Sequence, residues 1–141
     1  MPEVLLTLTD APPPEAESAI ADGLNAFNER QTGIAHSRPL AVLLHGANTG
    51  ALLGGLVGRT SLGLFFVDLI FVPDELRGSG VGSEIMSRAE AEAVARGCTQ
   101  AVLYTIAFQA PGFYQRLGYQ VFGEVRSGPA DQARIFMTKS L

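Results

Sequence analysis

The stretch LRGSGVGSE at positions 76–84 sets Gly78, Gly80 and Gly82 between an almost unbroken apolar run, LFFVDLIFV at 64–72, and a helical pattern that begins at Val81. Glycine loses more conformational freedom on folding than any other residue, so this turn needs either positive φ or close approach to something. A strand that enters a helix and is followed by another strand implies a parallel crossover. An apolar run of this kind reads as a strand covered on both faces, central to its sheet. The turn thus demands an α/β arrangement.

The flanking sequence supplies the remaining elements. Residues 4–9, VLLTLT, are apolar and β-prone and stop at Asp10 and the run Pro12-Pro13-Pro14, which predicts a first strand. Over residues 15–30 the apolar positions Ala16, Ala19, Ile20, Leu24 and Phe27 recur at helical spacing, which predicts an amphipathic helix. Residues 40–45, 50–60 and 64–72 read as an antiparallel meander turning at 46–50 and 61–63. Val81, Ile85, Met86, Ala89, Ala93 and Val94 give residues 81–96 an apolar side, and Gly97 stands where a helix C-terminus wants it. A strand at 100–107, a short helix at 111–118 opened by Pro111 and closed by Gly118, and strands at 119–125 and 133–141 complete the chain. The predicted order is β-α-β-β-β-α-β-α-β-β, a mixed α/β sheet in one domain spanning 1–141.

Composition limits the function classes. A chain of 141 residues with 47% hydrophobic and 17% charged residues is that of an ordinary globular protein, able to bury roughly 70% of its unfolded surface. No basic segment leads an apolar stretch at the N-terminus, and no apolar run approaches the roughly 20 residues of a membrane span, so a cytoplasmic protein without membrane attachment is expected. Cys98 is the single cysteine and there are two histidines, so neither a disulfide nor a metal site is expected, and Cys98 reads as a buried thiol. The formal charge of −4 argues against a nucleic-acid partner and is compatible with a cationic amine.

A helix N-terminus offers unpaired N–H groups and the positive end of the helix dipole, so an anionic phosphate is the natural ligand of such a turn. A tight turn with no ligand is the alternative. A Walker loop fits poorly, because no Lys-Ser or Lys-Thr follows Gly82. A dinucleotide fingerprint also fits poorly, since the last glycine is misplaced and a meander precedes it. The pattern Arg/Gln-x-x-Gly-x-Gly/Ala is met by Arg77 to Gly82, within LIFVPDELRGSGVG and ahead of FYQRLGYQVFGEV. In these motifs and in the order of its elements the chain resembles the GNAT superfamily of N-acetyltransferases.

The resemblance implies that the amides of Arg77, Gly78, Ser79, Gly80, Val81, Gly82 and Ser83 hold the pyrophosphate of acetyl-CoA. It implies a sheet splayed at its parallel strand pair, with pantetheine bonded to the backbone of Phe71 and Val72 in the gap. The Val72 N–H would stabilise the oxyanion as a neutral amine attacks the thioester directly. Tyr114 matches the family's tyrosine and is the expected general acid toward the departing thiolate. Many relatives of that family carry an asparagine where this chain has Ala107, so either Gln109 replaces its contact with the cofactor or that contact is absent.

The base is open. Asp68, the lone charge of its apolar run, lies four residues before Val72 and by the period of two shares its strand face; His36, His45 and a water relay are the alternatives. The acceptor expected is a small-molecule primary amine, shaped by residues 15–38 and 123–134. A non-catalytic acyl-CoA sensor and a protein N-terminal acetyltransferase are the other readings. The apolar last strand is compatible with a homodimer.

Overall fold

The computed structural model describes residues 2–34 and 37–141, so His36 lies outside the described residues. The chain forms two compact units, one holding the first helix and the other beginning at Ser37. In the first unit, α1 (Pro14–Thr32) starts with proline at its first turn, carries Glu15 and Glu17 near its positive end, and stops at Gly33, whose φ of 72° is left-handed. The strand predicted at 4–9 is not formed: these residues have no ladder partner, and Val4, Leu5, Leu6 and Leu8 are exposed. β propensity makes a segment fit a sheet but does not supply the second strand that holds it there.

The second unit contains β1 (Ser37–His45), β2 (Leu52–Ser61), β3 (Leu64–Phe71), α2 (Val81–Ala95), β4 (Gln100–Ile106), α3 (Pro111–Arg116), β5 (Gln120–Val125) and β6 (Arg134–Ser140). Together the strands build one mixed sheet in the order β1-β2-β3-β4-β6-β5. The β1–β2–β3 meander is antiparallel, β3 and β4 are parallel across the α2 crossover, and β6 pairs antiparallel with both β4 and β5. The last strand is therefore interior, and its backbone edges are already used. A pairing of this strand with a second copy has no free edge to work with.

One face of the sheet forms the core. Leu40, Leu56, Phe65, Val67, Ala101, Leu103 and Met137 meet Ile85, Met86, Ala89 and Ala93 of α2, all buried. Ala89 and Ala93 let the helix lie close against the strands, whereas Val94 at the edge of the predicted apolar side is exposed. Each large side chain fully buried here contributes roughly 1.5–3 kcal/mol. The expectation that β3 is covered on both faces holds only for its first half, since Leu69 is 72% and Phe71 57% exposed. Arg96 ties the C-terminus of α2 to the meander: it pairs with Glu92 at 2.7 Å and donates to Pro39 O at 3.0 Å and Thr60 Oγ1 at 3.1 Å. Cys98 is a buried thiol, its pKa raised by burial against the opposing pull of Arg96.

Candidate active site

The parallel pair at the centre of the sheet opens into a gap. Cα pairing between β3 and β4 is confined to Leu64 with Gln100, Phe65 with Ala101 and Phe66 with Val102. Residues 67–71 of β3 and 103–106 of β4 continue past that point without pairing to each other, so backbone groups along the opening are available to an extended ligand. The expected splay is present, with Phe71 and Val72 at its mouth.

Beyond β3 the chain makes a single 3-10 turn, Asp74–Leu76, and then the glycine turn. Gly78 has φ 79° and Gly80, the N-cap of α2, has φ 88°; a side chain at either would meet open space but would be strained by that backbone. Gly82 serves a different need. An alanine Cβ there would lie 3.2 Å from Phe113 Cζ and 3.9 Å from Val72 Cγ2, so this glycine lets α2, α3 and the end of β3 come together. No side chain caps the N-terminus of α2, which leaves the first amides of the helix, Val81, Gly82 and Ser83, for a ligand. Ser79 Oγ instead donates to Leu76 O within the turn.

Arg77 braces this corner. Its Nε donates to Val72 O at 3.1 Å and its Nη1 lies 3.2 Å from Asp74 Oδ1, so it fixes the end of β3 relative to the turn while keeping an exposed guanidinium. An uncapped helix start, side-chain-free glycines and an adjacent cation suit a phosphate-bearing group.

Tyr114 lies on α3 beside this corner. Its ring is buried and packs edge-on against Phe113, centroids 5.1 Å apart, and against Tyr119 at 6.0 Å. Burial pushes its pKa up to about 12. The phenol is thus a proton donor throughout the neutral range.

Other expected site residues are placed differently. β2 and β3 slip register between Val57 and Gly58, which pair with Leu69 and Val67, so Asp68 is the extra residue of a β-bulge. The bulge breaks the period of two: Phe65, Val67, Ile70 and Val72 turn to the core, and Asp68 does not share the face of Val72. Its carboxylate accepts from Arg59 Nη1 at 2.7 Å, and that guanidinium lies over the Phe66 ring at 4.3 Å. Gln109 closes the end of β4, its Oε1 accepting from Ile106 N at 2.9 Å and Thr105 Oγ1 at 3.1 Å; only its amide NH2 remains for a ligand. His45 Nδ1 lies 3.2 Å from Gly50 O in an exposed hairpin.

Two features went unread in the sequence. Phe113 meets Gly82, and Glu90 and Lys139 surround Tyr119. The available signals were an acid, Glu90, beside Ala89 on α2 and the chain's single lysine, Lys139, in the last strand.

An uncapped helix start set beside a split parallel strand pair defines the class: a mixed-sheet α/β protein with an open corner between helix and strand. A family model described as an acetyltransferase (GNAT) domain matches residues 37–121. An acetyltransferase of Agrobacterium fabrum is 34% identical over 132 residues, covering 94% of this chain and 96% of its own. The blasticidin-S acetyltransferase of Streptomyces morookaense is 39% identical over 115 residues, 79% of this chain and 85% of that protein. The crystal structure of an acetyltransferase from Agrobacterium tumefaciens superposes with a TM-score of 0.84 at 33% identity, covering 98% of this chain and all of that one. The chain belongs to the GNAT acetyltransferases: it is an acyltransferase, and its family implies an acyl-CoA co-substrate.

Proposed function

We propose that the protein transfers an acetyl group from acetyl-CoA to a primary amine of a small molecule. The observation that carries this reading is the meeting, at one corner, of the uncapped start of α2, the open end of β3 and the Tyr114 ring. The backbone N–H groups of Gly78 and of Gly80 to Ser83 bind the pyrophosphate, aided by the Arg77 charge, whereas those of Arg77 and Ser79, expected from the sequence to join them, already donate to Asp74 O and Leu76 O within the turn. The backbone of Phe71 and Val72 holds the pantetheine arm. Acetyl-CoA supplies an activated acetyl thioester when bound.

The chain's own groups then act at two atoms. The Val72 N–H donates to the acetyl oxygen as negative charge grows on it. The Tyr114 hydroxyl gives its proton to the CoA sulfur as the C–S bond breaks. Asp68, matched by Arg59 and turned from the Val72 face, is left out of this scheme, so the amine enters in its neutral form and, once its nitrogen is bonded to the acetyl carbon, gives up one proton to water. Similarity to blasticidin-S acetyltransferase over most of the chain supports a small-molecule acceptor.

Thiol release from acetyl-CoA, followed over a panel of amines that includes blasticidin S, tests the reading, with mass spectrometry of the product. An N-acetylated amine is the expected outcome. Binding of acetyl-CoA with no transfer to any of the panel would overturn it.

A further inference from the structure

Tyr119 is held by a closed polar network that the transfer scheme does not use. Its hydroxyl donates to Glu90 Oε2 at 2.9 Å, and Glu90 Oε1 accepts from Lys139 Nζ at 2.7 Å. The same ammonium lies 5.6 Å from the centroid of the Tyr119 ring, which closes the circuit. The members come from α2, the connection after α3, and β6, so the network fastens three separate parts of the fold to one phenol. It is largely withdrawn from water: the Glu90 side chain is 15% and that of Lys139 25% exposed, while Tyr119 is buried.

A half-buried ion pair is a costly way to secure a core aromatic, because a phenylalanine in an apolar setting would fill the space without desolvating charge. What the network adds is a defined position. Tyr119 makes two contacts with Tyr114: its ring stands edge-on to the Tyr114 ring, at 75° and 6.0 Å, and its backbone N–H donates to Tyr114 O at 3.0 Å. The Tyr114 ring also stands edge-on to that of Phe113, which lies beside Gly82 at the start of α2. The Tyr114 ring is thereby set against two aromatic rings, one beside the start of α2 and the other bonded to Glu90.

We infer that Tyr119, Glu90 and Lys139 form a positioning device that holds the Tyr114 hydroxyl in line with the departing sulfur. Tyr119 and Glu90 are positioning residues and touch neither substrate. The inference rests on the reading of Tyr114 as the proton donor. That proton is needed whichever nucleophile attacks, so thiol release from acetyl-CoA reports it with blasticidin S as acceptor or with water alone.

The test is a double-mutant cycle on the full chain, with Tyr119→Phe made in the Tyr114 and in the Tyr114→Phe backgrounds. Positioning geometry of this kind predicts about a tenfold fall in kcat for Tyr119→Phe, KM for acetyl-CoA unchanged, and an effect of less than about twofold once Tyr114 is phenylalanine. Glu90→Ala should lower kcat as Tyr119→Phe does, and Glu90→Gln, whose amide oxygen still accepts from Tyr119, should recover at least half of the loss. An equal effect of Tyr119→Phe in both backgrounds, or none in either while Tyr114→Phe is impaired, overturns the inference and leaves the donor role of Tyr114 standing. Full activity of Tyr114→Phe overturns both. Thermal unfolding of each variant separates loss of rate from loss of folded protein, and the conservative Glu90→Gln change carries the comparison if Glu90→Ala does not fold.

Discussion

Phe113 occupies the space that a side chain on Gly82 would need, its Cζ 3.2 Å from where an alanine Cβ would sit. This contact joins the start of α2 to α3 and so sets the distance between the uncapped amides of α2 and Tyr114. Gly82→Ala should gain up to about 1 kcal/mol of helix propensity and lose a similar amount to the contact with Phe113. Stability is therefore expected to change little, while KM for acetyl-CoA rises several-fold as the ring is pushed aside. Thermal unfolding and steady-state kinetics on the same sample check both halves.

The pH dependence of the rate follows from Tyr114. With its pKa pushed up to about 12, the phenol stays protonated across any practical assay range. The rate should rise with pH as the amine acceptor loses its proton and then level off, with no descending limb below about pH 10. Tyr114→Phe should lower the plateau by roughly a hundredfold without changing the shape of the rise.

Stability should have an alkaline edge. Burial raises the Tyr114 pKa to about 12, and burial with the Glu90 carboxylate raises that of Tyr119. Both phenols bind their protons more tightly in the folded chain than in the unfolded one, where they titrate near 10. Their contribution is fully present below about pH 10 and is lost as the pH climbs through the raised values. Denaturant midpoints measured from pH 8 to 12 should be level and then fall, and Tyr119→Phe should flatten part of the descent.

Arg96 bonds to Pro39 O and Thr60 Oγ1 while its side chain is only 14% exposed. Arg96→Met keeps much of the packing and removes the charge-assisted bonds, leaving the buried Thr60 hydroxyl unpaired. A loss of about 2–3 kcal/mol is expected, read by chemical denaturation.

Asp68 and Arg59 form an exposed pair, worth about 1 kcal/mol or less. Asp68→Asn should therefore leave kcat within about threefold of the parent, far from the roughly hundredfold or greater loss that removal of a general base causes. A larger fall, with a pH profile displaced from the parent's, would return Asp68 to the chemistry.

The glycine turn shows how legibility divided. Its place between an apolar strand and a long helix could be read because both elements carry local periodicity, and Gly78 and Gly80 do take the positive φ expected of them. The meander, the α2 crossover, α3 and the last two strands are also where the pattern of residues puts them. The strand predicted at 4–9 failed because a ladder partner is not a local property. Asp68 was misplaced because a period of two assumes an uninterrupted strand, and a bulge arises from pairing with β2 rather than from the residues of β3 alone.

By itself, then, the sequence determined the alternation of strands and helices from α1 onward and the backbone conformation of the glycine turn, since both rest on backbone preferences that act within a few residues. Which side chains stand together was decided only by the tertiary structure. The meeting of Gly82 with Phe113, the pairing of Arg59 with Asp68, and the fastening of Tyr119 by Glu90 and Lys139 each join residues from separate elements. The order β4-β6-β5 and the gap between β3 and β4 are likewise products of how the strands pack. Such contacts form when the sheet and α2 close on a shared core, and no local pattern encodes their geometry.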